Sequence, residues 1–244
     1  MTKIIVIDAG HGGKDPGACG NGLQEKDIAL KVACEVAERL QSQYEGAKCL
    51  LTRSTDDFLE LRERTNKANA AKADALVSIH CNAGGGAGGF ESFRYTTASA
   101  VTTAFQNVIH TELMARLKTF GVTDRGQKAA NLHMCRESKM PSVLTENLFI
   151  DVASDAVRLK RDDVLEAIIE GHVVGIAKYL GLKKKQTEKP SDPALSVYVD
   201  GVNIGKGELK DGVTLVSARS VAQALGAQVI YDPISKRVDI KSEK

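Results

Sequence analysis

The stretch "IIVIDAGHGG", residues 4–13, decides the fold. Four successive apolar residues, Ile4 to Ile7, leave no polar face, which is the pattern of a strand buried on both sides. The run breaks into Asp8 and then a glycine-rich turn around His11. Outward from it, strand-like and helix-like patterns alternate. Residues 26–41 carry Ile28, Ala29, Val32, Ala33, Val36, Ala37 and Leu40, a stripe at helical spacing. Strands are expected at 4–8, 49–52, 76–80 and 143–146, and further helices at 60–72, 100–119 and 155–180, the last ended by Gly181. Alternation of this kind predicts an α/β domain: a mainly parallel sheet covered by helices on both faces.

At 183–194, "KKKQTEKPSDPA", periodicity gives way to charge and proline, so a first domain of residues 1–182 is expected to end in a solvated linker. Residues 195–244 have a different grammar. "SVYVDGVNIG" alternates around an Asp-Gly turn, "VTLV" is a short strand, "SARSVAQALGA" a capped helix, and "QVIYDPISKRVDI" a hairpin turning at Asp232-Pro233. The expectation is a small α+β module of ββαββ form.

Composition narrows the function. Of 244 residues, 43% are apolar and 26% charged, the balance of a globular protein. A net charge of +2 and an aromatic share of 5% without Trp argue against nucleic acid as partner. No apolar run approaches the roughly 20 residues that span a membrane. Thr2-Lys3 leads straight into a strand, so no signal peptide is read and synthesis in the cytoplasm is expected. Five cysteines without a C-x-x-C pair read as free thiols. Cys81 follows His80 on a strand and so faces away from it.

His11 among glycines has three readings: phosphate cradle, metal ligand, or an incidental residue of a tight turn. The cradle fails, because Asp15 stands where a third glycine is needed and no G-K-[ST] follows. For a metal, His80 closes "LVSIH", a strand whose end opens on the same sheet edge as that of the first. Glu25 begins the first amphipathic helix, after a loop able to swing it over that edge. On spacing alone, a ligand set and three unconnected residues both remain open. Glu146 ends "SVLTE" and projects at the same edge, as the base for a bound water or as an ion-pair partner of Arg125 or Arg136. Of the other histidines, His172 lies on a core stripe, His110 on a polar face that predicts exposure, and His133 stays open.

These stretches, taken in order, resemble one family. "IDAGHGGKDPGACGNGLQEKD", "LTRSTDDFLELRERTNKAN", "ADALVSIHCNA", "GGFESF", "DRGQK" and "PSVLTENLFI" are similar to the zinc-dependent N-acetylmuramoyl-L-alanine amidases of the amidase 3 type, found in bacterial autolysins and phage endolysins. The resemblance covers about residues 3–180. It implies one catalytic zinc on His11, Glu25 and His80, with Glu146 as catalytic glutamate. It implies peptidoglycan as the partner, cleaved between N-acetylmuramic acid and L-alanine; the absent signal peptide then favours an endolysin or a mother-cell lysin that acts on the wall after release. The glycines around His11 are then expected to let backbone and glycan approach the metal. Two departures stand out. Leu148 occupies the glycine position of the family's E-x-G-F, and residues 81–100 have no room for its regulatory helix, which predicts an open cleft. Residues 195–244 resemble the copper amine oxidase amino-terminal module but hold no His, Cys or Met for copper. Wall binding and homodimerisation are both open for them. Two other activities remain open for the whole: a zinc peptidase of the stem peptide, and an inactive wall-binding protein.

Overall fold

The structure, a computed structural model, describes residues 2–185, 195–210, 213–232 and 236–242. The chain divides after Lys185 into two compact units. In the first, a six-stranded sheet has the order β4-β1-β5-β8-β6-β7. Its strands are β1 (Lys3–Ala9), β4 (Ala47–Leu51), β5 (Ala75–Asn82), β6 (Phe90–Arg94), β7 (Asp124–Ala129) and β8 (Ser142–Phe149). A two-residue hairpin, β2 (Cys19–Gly20) with β3 (Leu23–Gln24), leads into α1 (Glu25–Gln43). The first four strands of the sheet are parallel, as expected. Strand β6 runs antiparallel to β8, and β7 parallel to β6. Neither of these two was anticipated, because "FESFR" is short and "DRGQKA" almost wholly polar.

Helices cover both faces. Helix α1, with α3 (Ala100–Leu117) and α6 (Asp162–Leu180), packs on Ile5, Ile7, Val77 and Ile79. Helices α2 (Leu61–Ala70) and α4 (His133–Arg136) lie on the other face, over Val6 and Leu76. A 3-10 turn at Lys118–Phe120 ends α3. The helix expected over 155–180 is two, α5 (Ala153–Leu159) and α6, separated by an extended Arg161. Asp162 and Asp163 explain the break, since acidic residues favour a new helix start.

The linker expectation needs trimming at its front. Glu45 N–H donates to Lys183 O (2.9 Å) and Lys185 N–H to Gln43 O (2.7 Å), so the first domain reaches Lys185. The rest, 186–194, lies outside the described residues, as does Pro233 of the expected turn. In the second unit β9 (Leu195–Val199), β10 (Val202–Lys210) and β11 (Val213–Leu215) form an antiparallel sheet. Helix α7 (Ala218–Ala224) and the hairpin of β12 (Ala227–Asp232) with β13 (Arg237–Ser242) follow. Three strands therefore precede the helix, one more than ββαββ. Asp200 and Gly201 both have positive φ (47° and 81°), the geometry of a tight two-residue hairpin loop. Among the described residues no helix is long and apolar enough to cross a membrane.

Candidate metal centre and a neighbouring carboxylate

Strand β1 stops at Ala9, and Gly10 N–H donates to Ile79 O of β5 (3.1 Å), so the following turn is tied to the sheet. His11 sits there with a φ of 58°, unusual for a non-glycine residue. Two buried arginines hold it. Arg53 donates to Ala9 O (3.0 Å) and Gly10 O (2.7 Å), and Arg64 to His11 O (2.6 Å).

Glu25 is the first residue of α1 and is buried. The hairpin β2–β3 turns the chain back, and Ala18 N–H donates to Glu25 Oε2 (2.8 Å). Glu25 Oε1 lies 2.8 Å from His80 Nδ1 and accepts from Cys81 N–H at 3.0 Å. Glu25 Oε2 lies 3.1 Å from His11 Nε2. One ligand atom from each of His11, Glu25 and His80 falls within 4.8 Å of the others. The sequence-expected set is thus brought together. Two imidazoles and a carboxylate are the donors of a catalytic zinc site that leaves one position open, so the residues fit that ion.

The outer nitrogens are oriented as well. His11 Nδ1 lies 2.8 Å from Asp15 Oδ2. His80 Nε2 lies 3.2 Å from Ser78 Oγ, which donates to Asp8 Oδ2 (2.5 Å). Asp8 also accepts from Thr52 Oγ1 (2.7 Å) and Arg64 (3.1 Å). The sequence reading missed Asp8, Asp15, Ser78, Arg53 and Arg64. Only Asp8 carried a signal, a carboxylate closing an apolar run. Two glycines make room for the ligands themselves: a Cβ at Gly10 would collide with the His80 ring, and one at Gly17 would stand 2.6 Å from both Glu25 Oε2 and His11 Cδ2, whereas Gly12 and Gly13 abut Asp57 and Phe58.

Burial works against the Glu25 charge, but hydrogen bonds from His11 and His80 hold its carboxyl well below the usual range. Burial likewise opposes the His11 cation, yet Glu25 and Asp15 lift it to about 9. His80 is raised in the same way, mainly by Glu25 against burial. The cluster is built to hold positive charge.

Glu146 lies beside it, directly opposite His80 in the β5–β8 register. Its Oε2 is buried with no hydrogen-bond partner among the described residues. Burial pushes its carboxyl up to about 7. The ion pairs weighed for Glu146 are not formed: Arg125 donates to Glu91 (2.8 Å) and Arg136 to Glu137 (2.6 Å). Leu148 keeps a φ of 68°, the conformation that suits the family's glycine, while its side chain is fully buried in the core. A cavity of about 300 Å³ opens at the ligands, lined by His11 and His80 together with Phe58, Leu59, Leu61 and Arg64.

The remaining histidines are structural. His172 is a core residue as expected, bonded to Thr145 Oγ1 (2.9 Å) and pushed down to about 4 by burial. His110 is buried, against expectation, between Ser92 Oγ (2.9 Å) and Asp124 (3.0 Å). Strands β6 and β7 cover its helix face. His133 meets Thr65 Oγ1 of α2 at 3.3 Å. Cys81 packs in the α1-side core, turned away from His80.

A model of the N-acetylmuramoyl-L-alanine amidase family, Amidase_3, matches residues 5–178. The chain belongs to that family. It is a hydrolase of that amidase class. The endolysin of Bacillus phage SPP1 is 52% identical over 187 residues, 76% of this chain and 69% of that protein. The N-acetylmuramoyl-L-alanine amidase CwlM of Bacillus licheniformis is 40% identical over 231 residues, 95% of this chain and 85% of its own, so the likeness runs past Lys185. Among solved structures, the catalytic domain of CwlV, an N-acetylmuramoyl-L-alanine amidase from Bacillus (Paenibacillus) polymyxa var. colistinus, has a TM-score of 0.70 and 36% identity. That match covers 75% of this chain and all of the CwlV domain. The family match ends at residue 178, and the likeness of the second unit to the copper amine oxidase module rests on sequence alone.

Proposed function

We propose that this peptidoglycan amidase cleaves the amide between the lactyl group of N-acetylmuramic acid and L-alanine, with one zinc on His11, Glu25 and His80 and with Glu146 as general base. The observation that carries this reading is the Glu146 carboxylate, in register with His80 and with its Oε2 lacking a partner among the described residues. When bound, zinc supplies Lewis-acid activation of the carbonyl and of water. Asp15 and Ser78 fix the His11 and His80 rings, leaving the other nitrogen of each, beside Glu25, as the one that would hold the metal. Glu146 takes the proton of the attacking water at its free oxygen and passes it to the leaving L-alanine nitrogen. Burial raises this carboxyl, which favours the protonated form that hands the proton to the leaving nitrogen.

The biological setting is lysis from within, as a phage endolysin or a mother-cell lysin; the likeness to an endolysin supports the first. The second unit tethers the enzyme to the wall.

Digestion of purified sacculi tests the reaction. Expected products are glycan strands with intact muramic acid and peptides with a new L-alanine amino terminus. New amino termini within the stem peptide instead would replace the amidase with a peptidase.

A further inference from the structure

The row of side chains that contains His80 and Glu146 continues across the sheet. Glu91 of β6 stands directly opposite Glu146, so the two carboxylates share one face. Glu91 is buried, and its Oε2 receives both Arg125 Nε (2.8 Å) and the Lys128 ammonium. Burial opposes its charge, but Lys128 and Arg125 hold its carboxyl below the usual range.

One carboxylate therefore faces two cations, and a single cation would balance it. The neighbouring Asp124 does not share the load, being bonded to His110 (3.0 Å) and to the Gly126 amide (2.8 Å). Both cations are also reachable: the Arg125 side chain is 30% exposed and that of Lys128 39%. They are held in place from below, with the Arg125 guanidinium 4.5 Å from the Phe149 ring centre and Lys128 5.8 Å from that of Phe93. The result is a fixed surplus of positive charge on the catalytic face.

Distance says what it fits. Both cations bond to Glu91, which stands one strand from Glu146, so at about 4.8 Å per strand their charged groups stand roughly 5–10 Å from Glu146. An extended peptide covers about 3.4 Å per residue, which brings the second or third residue after the cleaved amide to this place. We infer that Arg125 and Lys128 bind a free carboxylate on the peptide arm of the substrate, two or three residues beyond the cleaved bond. The inference rests on the amidase reading above and deepens it. The enzyme prefers wall peptides whose carboxylates are free over those in which they are amidated.

The test uses the full chain with zinc and two soluble muropeptides of one sequence. One has free carboxylates at the second and third residues, the other has them amidated. Wild type is expected to show a KM roughly 10-fold lower for the acidic muropeptide at similar kcat, the size of a charge-assisted contact. In Lys128→Gln and Arg125→Gln the KM for the acidic muropeptide rises towards that for the amidated one, while Lys128→Arg keeps the preference. Each single variant leaves Glu91 one counter-ion, and melting temperatures check that the fold is intact. Equal KM values in wild type overturn the inference. So does a variant that loses the same factor on both muropeptides, since that is the signature of a mere counter-ion for Glu91. Wild type that cuts neither at the muramoyl amide overturns the amidase reading itself, and the carboxylate subsite with it.

Discussion

The two halves of the centre treat their carboxylates in opposite ways. On the β1–α1 side, Glu25 meets two imidazoles and two backbone amides, and every outer nitrogen has a partner in turn. On the β8 side, Glu146 stands opposite His80 in register but keeps an oxygen with no partner among the described residues. One carboxyl is driven below its ordinary range and the other up to about 7. Environments that push two such groups apart fit the roles proposed above, a cation held by the saturated one and protons exchanged by the starved one.

The largest expected effect breaks the saturated half. Glu25→Ala leaves the two imidazoles without the charge that gathers them, so metal content should fall from about one equivalent to under a tenth, and lysis with it. Chelation of the wild type should do the same and be reversed by added zinc. A Glu25→Ala protein that retains a full equivalent would mean the ligands lie elsewhere.

Next in size, Glu146→Gln should lower turnover by at least about 100-fold while metal content stays at wild-type level. The comparison adds a second readout. Removing a buried carboxyl that lacks a partner should leave the melting temperature unchanged or raise it. A loss of several degrees would show that Glu146 is anchored after all, and its role as base would fall with that.

How much of this was legible in the chain depends on where the partners lie. His11 follows the apolar run of β1, Glu25 opens α1, and His80 and Glu146 end apolar runs, which drew the four together in the sequence; the strand ends expected at His80 and Glu146 were too early, since β5 runs on to Asn82 and β8 to Phe149. Arg53 and Arg64 act through carbonyls of residues 9–11, more than forty positions earlier, and nothing in the local pattern reports a side chain-to-backbone bond across that distance. His110 misled for a related reason. Its helix neighbours Thr103, Gln106 and Asn107 are polar, but Gln106 is itself buried, donating to Ser92 O and Lys128 O (2.9 Å each) of strands whose sequences look like loops.

Arg64 carries the third prediction. It supports His11 O directly and Asp8, hence Ser78 and His80, indirectly. Arg64→Lys keeps the charge but cannot span both sites, and zinc affinity should fall by about 10- to 100-fold. Titration with a competing chelator measures it. Unchanged affinity would confine the saturated half to its three ligands.

Outside the centre, His172 offers a smaller effect with a defined sign. Burial lowers its folded value to about 4, against 6.5 for the free side chain. The unfolded chain therefore binds the extra proton first, and stability present above pH 6.5 is lost as pH falls towards 4. The shift corresponds to about 3 kcal/mol in total and about 2 kcal/mol at pH 5. In chelator, His172→Gln should flatten the decline in stability between pH 7 and 5 relative to wild type. Parallel curves for the two proteins would assign the acid sensitivity to other groups.

The smallest effect on turnover is expected from removing the second unit. Lys185 is bonded into the first domain, so a chain ending there keeps every ligand and every support named above. Its turnover on a small soluble muropeptide should stay within about two-fold of the full chain. If residues 195–244 tether the enzyme, the truncated protein should sediment poorly with sacculi and lyse whole cells more slowly, because a tether acts only by raising local concentration on a polymer. Homodimerisation predicts otherwise. Short antiparallel strands with exposed Tyr198, Val202, Val238 and Ile240 offer edges and apolar surface to a second copy. Truncation would then convert a dimer to a monomer in light scattering while sacculus binding stayed as it was, and that pair of results would replace the tether with an assembly module.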